Sequence, residues 1–275
     1  MPVTPDRLAE IALQAGAVIM EVYRSDFDVI DKADTSPVTE ADQKAEHLIL
    51  AALKESEPGL VVIAEEEMSA GHMPEHGARF ALVDPLDGTK EFVNRRGEFT
   101  VNIAIIHEGR PVMGVVYAPA LERLFVAEGP GEGWQARCAP GAPVPGQAQR
   151  TRLSIRRRPE AGLTAIASKS HRTPETDAWL ECFDVAEIVS AGSSLKFCMV
   201  AAGEADLYPR MGRTMEWDTA AGQAVAEAAG AQVLQEDGAP LLYGKRDRGY
   251  DNPHFVVFGD VTPPSQLGRA APASS

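Results

Sequence analysis

At 275 residues, 44% hydrophobic and 24% charged, the chain can bury a real core, as one large domain or two closely joined halves. Its net charge of −14 disfavours nonspecific binding to nucleic acid or to an anionic membrane. No run approaches the length of a membrane span, and Met1 to Ala15 lacks the basic start and apolar run of a signal peptide, so a cytoplasmic globular protein is expected.

Thr4-Pro5 reads as a cap followed by Pro at the first helical position. Leu8, Ile11, Ala12, Ala15, Val18, Ile19 and Val22 then repeat at helical spacing, so one amphipathic helix runs to about Tyr23. Asp26 to Asp34 is short and charged, a hairpin or loop. Thr39-Glu-Ala-Asp42 is a capping-box pattern ahead of Ala45, Leu48, Ile49, Ala52 and Leu53, and it explains Asp42 as a first-turn carboxylate. Leu60 to Ala64 is a strand. Glu65-Glu-Glu67 follows it as a loop, with Glu65 expected to turn inward.

Phe80 to Val83 is a short apolar run, the pattern of a buried strand, expected to break at Asp84-Pro85 because Pro85 lacks an N–H donor. Asp84 and Asp87 stand at its end, followed by Gly88-Thr89. Gly88 permits close backbone approach, and free N–H groups beyond it suit an anion. Carboxylate oxygens beside an anion cradle suit a divalent cation bridging to phosphate, although a polar turn accounts for the same residues.

Thr100 to Ile106, Pro111 to Tyr117 and Leu124 to Ala127 form an antiparallel meander, and Ala139 to Gln149 is a Pro- and Gly-rich connection. Arg150, Arg152 and Arg156 to Arg158 read as a solvated strand edge. From Leu163 the pattern alternates: strand Leu163 to Ala167, helix Glu175 to Phe183, strand Val185 to Val189, helix Ser193 to Ala202, strand Ala205 to Tyr208. An Ala-rich helix from Asp218, read as its N-cap, to Ala229 precedes strands at Ala231 to Leu234 and Phe255 to Phe258. Residues 1–150 are thus an α+β half and 151–275 an α/β half. Cys138, Cys182 and Cys198 have no metal-like spacing, so neither a disulfide framework nor a zinc site is indicated.

Four stretches in order, Ser36-Pro-Val-Thr-Glu-Ala-Asp42, Ile63-Ala-Glu-Glu66, Asp84 to Asn102 (DPLDGTKEFVNRRGEFTVN) and Trp217-Asp-Thr-Ala-Ala-Gly222, resemble the inositol-monophosphatase-like superfamily of metal-dependent, lithium-sensitive phosphatases. A fifth, Gly192-Ser-Ser-Leu-Lys-Phe-Cys198 with Tyr208-Pro-Arg210, is similar to its 3′(2′),5′-bisphosphate nucleotidase branch, as is Lys90-Glu91. The resemblance implies a layered αβαβα sandwich with the site between the halves and a flap at Asp26 to Asp34. It implies two or three Mg²⁺: Glu65, Asp84 and the Leu86 carbonyl at the first, Asp84, Asp87 and Asp218 at the second, Asp42 with Glu65 at a third. Thr89 and Asp42 would polarise the attacking water, and the Gly88 and Thr89 amides would receive the phosphate.

For the substrate's other end, Ser193, Ser194, Lys196 and Arg210 are the candidates, with His171 in Ser168-Lys-Ser-His171 as a further nucleotide contact. The activity implied is removal of the 3′-phosphate from adenosine 3′,5′-bisphosphate, a by-product of sulfate assimilation, and also action on 3′-phosphoadenosine 5′-phosphosulfate. The partner is therefore a small phosphorylated nucleotide; peripheral membrane association stays compatible, and oligomeric state is open. Competing readings are inositol monophosphate or fructose 1,6-bisphosphate hydrolysis, and a non-catalytic metal- or anion-binding protein of the same fold. A haloacid-dehalogenase-type phosphatase fits less well, because Glu65 and Asp218 would have no role.

Overall fold

Alternation of side chains along each strand assigns the layers. A computed structural model describes residues 2–25, 40–167 and 174–263. In chain order the elements are α1 (Pro5–Arg24), α2 (Glu40–Ser56), β1 (Val61–Ala64), α3 (Glu65–Ser69), β2 (Arg79–Asp87), α4 (Thr89–Val93), β3 (Thr100–His107), β4 (Arg110–Ala118), β5 (Arg123–Gly129), β6 (Glu132–Arg137) and β7 (Thr151–Arg152). There follow β8 (Leu163–Ala167), α5 (Pro174–Leu180), β9 (Val185–Ser190), α6 (Leu195–Ala201), β10 (Leu207–Arg210), α7 (Glu216–Ala228), β11 (Gln232–Gln235) and β12 (Phe255–Phe258).

The first seven strands form one sheet in sequence order, and the remaining five form a second in the order β11-β12-β10-β8-β9. In the first sheet, Ala81, Val83, Ile103 and Ile105 face α1 and α2, burying Leu8, Ile11, Ile19, Ala45 and Ile49. Their neighbours Phe80, Leu82, Ala104 and Ile106 point the other way, into a cluster with Phe197, Ala220, Ala221 and Ala224 of α6 and α7. That cluster continues to Tyr208, Phe255 and Val257 of the second sheet. The far face of the second sheet, Leu163, Ala165, Leu207 and Phe258, packs on Trp179 and Leu180 of α5. The result is the αβαβα layering, with α6 and α7 as the shared middle layer.

The alanines of α7 have a steric reason. A Cβ at Gly114 on β4 would stand 2.8 Å from the Ala224 Cβ and 3.2 Å from the Ala221 backbone, so helix and sheet nearly touch.

Several expectations are corrected. The strand does not break at Asp84-Pro85; β2 runs on to Asp87 through a register shift against β3 between Asp84 and Asp87. Pairing with β1 stops at Val83, so the missing Pro85 donor costs no bond on that side. Glu65-Glu-Glu67 opens the short helix α3 rather than a loop. The arginines after the meander are not a solvated edge alone: Arg150 lies over the Trp134 ring at 4.2 Å, and Arg156 pairs with buried Asp206 at 2.6 Å. The segment 26–39, where the flap and the Thr39 cap were expected, lies outside the described residues, as do 168–173 and the tail.

Gly114→Ala should overpack the middle layer and cost about 1–3 kcal/mol. Urea unfolding should show a lower midpoint with an unchanged slope. A wild-type midpoint would mean the helix–sheet contact has slack.

Candidate active site

Two neighbouring strands deliver the first acids. The parallel ladder of β1 and β2 ends at Ala64 opposite Val83, so the next residues, Glu65 and Asp84, leave it side by side. Asp84 is 1% exposed, and its Oδ1 accepts from the Leu86 amide at 3.0 Å, folding the bulge around the carboxylate. Asp87 ends β2. Gly88 then takes φ +91, a left-handed conformation a side chain would strain, and turns the chain into α4. The Thr89 hydroxyl faces the Leu86 carbonyl at 3.4 Å.

Asp42, 2% exposed, comes from the first turn of α2. Asp218 comes from the other half. It is the third residue of α7, not its N-cap: Met215 caps the helix, and Asp218 Oδ2 accepts from the Met215 amide at 2.8 Å.

These acids share one space. Burial, then the charges of Glu65, Asp87, Asp218 and Asp42, pushes the Asp84 carboxyl well above its usual range. Burial, then Asp218, Asp42 and Asp87, raises Glu65 to about 8. Asp218 is pushed up to about 7, by burial and then Asp87, despite opposing pulls from the Met215 amide, Arg210 and Arg213. Among the described residues, no three His, Cys, Asp or Glu side chains already converge as a ready metal cage. The cluster still fits Mg²⁺: its donors are all oxygen, its excess negative charge calls for a cation, and Mg²⁺ keeps several waters rather than needing a closed protein cage.

A polar bridge links β2 and β3 to the turn before α6 and on to α7. Ser193, at φ +55, donates to Asp87 Oδ2 at 2.6 Å, and the Thr100 hydroxyl contacts both Ser193 Oγ and Asn102 Oδ1. Asn102 Nδ2 donates to Ser194 Oγ at 3.0 Å, and Ser194 donates to the Asp218 carbonyl at 2.7 Å. Sequence reasoning missed Thr100 and Asn102, although both lie in the TVN end of the Asp84–Asn102 stretch.

Lys196 is buried, and its Nζ donates to the Ser193 carbonyl at 2.6 Å, so it braces the loop from below; burial lowers its pKa to about 8. Arg210 donates to the Arg213 carbonyl, while its buried Nε meets no acceptor among the described residues. His171 lies outside the described residues.

The model of the Inositol monophosphatase family matches residues 6–256. The chain belongs to the inositol monophosphatase family. Among this family's curated members, the chain is 43% identical to the "3′(2′),5′-bisphosphate nucleotidase CysQ" of Escherichia coli (strain K12), over 92% of this chain and 98% of that protein. The protein of the same name from Buchnera aphidicola is 38% identical over 88% of both. A crystal structure of CysQ from Bacteroides thetaiotaomicron superposes with a TM-score of 0.79 at 38% identity, covering 93% of this chain and 97% of that one. An inositol monophosphatase from Anabaena, at 23% identity and TM-score 0.72 over 97% of this chain and 94% of its own, shares the family fold.

The acids set a pH dependence for the metal-free protein. A carboxyl whose folded pKa is raised lets the unfolded chain ionise first, so stability is lost as pH rises from about 4. The loss continues to the folded values, about 7 for Asp218 and about 8 for Glu65, and then levels off. The Tm of chelator-treated protein should therefore fall between about pH 5 and about pH 8.5, and Asp218→Asn should flatten the fall. A profile identical in wild type and variant would show that Asp218 is not under this repulsion.

Proposed function

We propose that the protein is a Mg²⁺-dependent phosphatase that removes the 3′-phosphate of adenosine 3′,5′-bisphosphate, giving AMP and inorganic phosphate. The observation that carries this reading is the gathering of Asp42, Glu65, Asp84, Asp87 and Asp218 in one space, where burial and the neighbouring charges raise the pKa values of Asp84, Glu65 and Asp218. The nucleotidase names of the relatives point to the substrate.

Glu65, Asp84 and the Leu86 carbonyl would hold a first ion, Asp84, Asp87 and Asp218 a second, and Asp42 with Glu65 a third. Bound Mg²⁺ would neutralise phosphoryl oxygens and lower the pKa of water. Asp42 and the Thr89 hydroxyl orient the attacking water and accept its proton; Thr89 alone is too weak a base, so the two act together. The Gly88 and Thr89 amides receive oxygens of the scissile phosphate. Ser193 and Ser194 fix the wall on which the nucleotide rests.

The second phosphate falls to Arg210, whose buried Nε lacks an acceptor among the described residues and whose fork suits a phosphate. Lys196, spent on backbone carbonyls, adds positive potential from below and shapes the loop. The nucleotide's 5′-phosphosulfate analogue fits the same scheme, with hydrolysis at the same 3′ position. Among the described residues, no helix is long and apolar enough to cross a membrane.

Phosphate release from adenosine 3′,5′-bisphosphate, inositol 1-phosphate and fructose 1,6-bisphosphate at saturating Mg²⁺ tests the reading. The bisphosphorylated nucleotide should have the highest kcat/KM. Arg210→Ala should lower that value by about 10- to 150-fold, the worth of a charge-assisted contact of roughly 1.5–3 kcal/mol, and change 3′-AMP turnover much less. Preference for inositol 1-phosphate would reject the substrate, and equal losses on both nucleotides would reject the role of Arg210.

A further inference from the structure

Glu46 is a carboxylate only 5% exposed, yet nothing in the reaction uses it. Its Oε2 accepts from the Glu66 amide at 2.9 Å and its Oε1 from the Glu67 amide at 3.0 Å. Those are the second and third amides of α3, donors that every helix start leaves without an internal partner. We propose that Glu46 is a positioning residue, capping α3 from the neighbouring helix and so aiming Glu65 into the acidic site.

Three observations support it. Helix α3 has five residues, none of them fully buried, and only Met68 packs against the core, so its length gives it little hold of its own. Its own N-cap, Ala64, makes no side-chain cap and is fully buried in the core against α1 and α2, where a polar capping residue has no room. A cap must therefore come from elsewhere. Glu46 stands four residues beyond Asp42, one turn along the same face of α2. One helix thus delivers an acid to the site and, a turn later, builds the bend that delivers the next. The placement is costly: burial, with Glu66 and Glu67 adding repulsion, raises the Glu46 carboxyl to about 7. Holding Glu65 is the return for that cost.

The inference rests on the reading of Glu65 as a metal ligand, and the test separates the two. Mg²⁺ binding is measured by titration calorimetry on wild type, Glu46→Gln, Glu46→Ala, Glu65→Gln and the double variant Glu46→Ala/Glu65→Gln. Glu57→Gln, which loosens the half-buried contacts of Glu57 with Arg79 and the Val3 amide, controls for general destabilisation. Glu46→Ala should weaken Mg²⁺ binding by about 10- to 100-fold, as loss of a group orienting a ligand does. Glu46→Gln keeps one acceptor and should lose less; if the alanine variant does not fold, it carries the test. The double variant should bind no more weakly than Glu65→Gln alone, because Glu46 acts through Glu65. Wild-type affinity in both Glu46 variants beside a weakened Glu65→Gln would overturn the positioning role, as would additive losses in the double variant or an equal loss in Glu57→Gln. Wild-type affinity in Glu65→Gln would overturn the metal-site reading and this inference with it.

Discussion

The structure depends on a repulsion. Asp42, Glu65, Asp84, Asp87 and Asp218 are brought into one space, and burial adds to the cost of ionising those whose pKa values are raised. Such a cluster persists only when the elements carrying it are held for other reasons. Each acid indeed sits where an element starts, ends or loses regular pairing: after β1, at the bulge and the end of β2, and in the first turns of α2 and α7. The backbone there is set by the apolar layers behind it, and the acids project from their edges.

The layering couples the two sheets. A single apolar cluster spans the inner faces of both sheets through α6 and α7, and Gly114 lets α7 lie almost against β4. Across this join runs the chain of contacts from Asp87 through Ser193, Thr100, Asn102 and Ser194 to the Asp218 carbonyl. Buried hydroxyls and an amide with satisfied partners are directional in a way apolar contacts are not. They fix where Asp218 stands relative to Asp87, although the two come from different halves of the chain. Lys196, beneath the same loop, supplies a cation that offsets some of the acidity.

Much of this was legible in the sequence where a local pattern decides. Period-two alternation marked the meander, and helical spacing marked α1 and α2, because each buries one face. The acids were legible through the ordered stretches around Asp42, Glu65, Asp84 and Asp218. What escaped was set by partners distant in sequence. Glu65-Glu-Glu67 resembles a solvated loop, since its cap, Glu46, lies on another helix. Pro85 looked like a strand breaker because nothing local shows that β1 stops pairing at Val83. Asp218 passed for an N-cap because Met215, the true cap, has no side chain that signals one. The burial of Lys196 under the loop it braces depends on tertiary packing alone.

If repulsion among these acids is what Mg²⁺ relieves, binding the ion must drive protons off them. Titration calorimetry at about pH 6.5, repeated in buffers of different ionisation enthalpy, measures that directly. The account requires release of roughly one proton or more per protein, shrinking as pH rises through about 8, where Asp218 and Glu65 ionise without the metal. Mg²⁺ binding with no proton release at the lower pH would show that the acids are not held protonated by one another, and would contradict the account at its base.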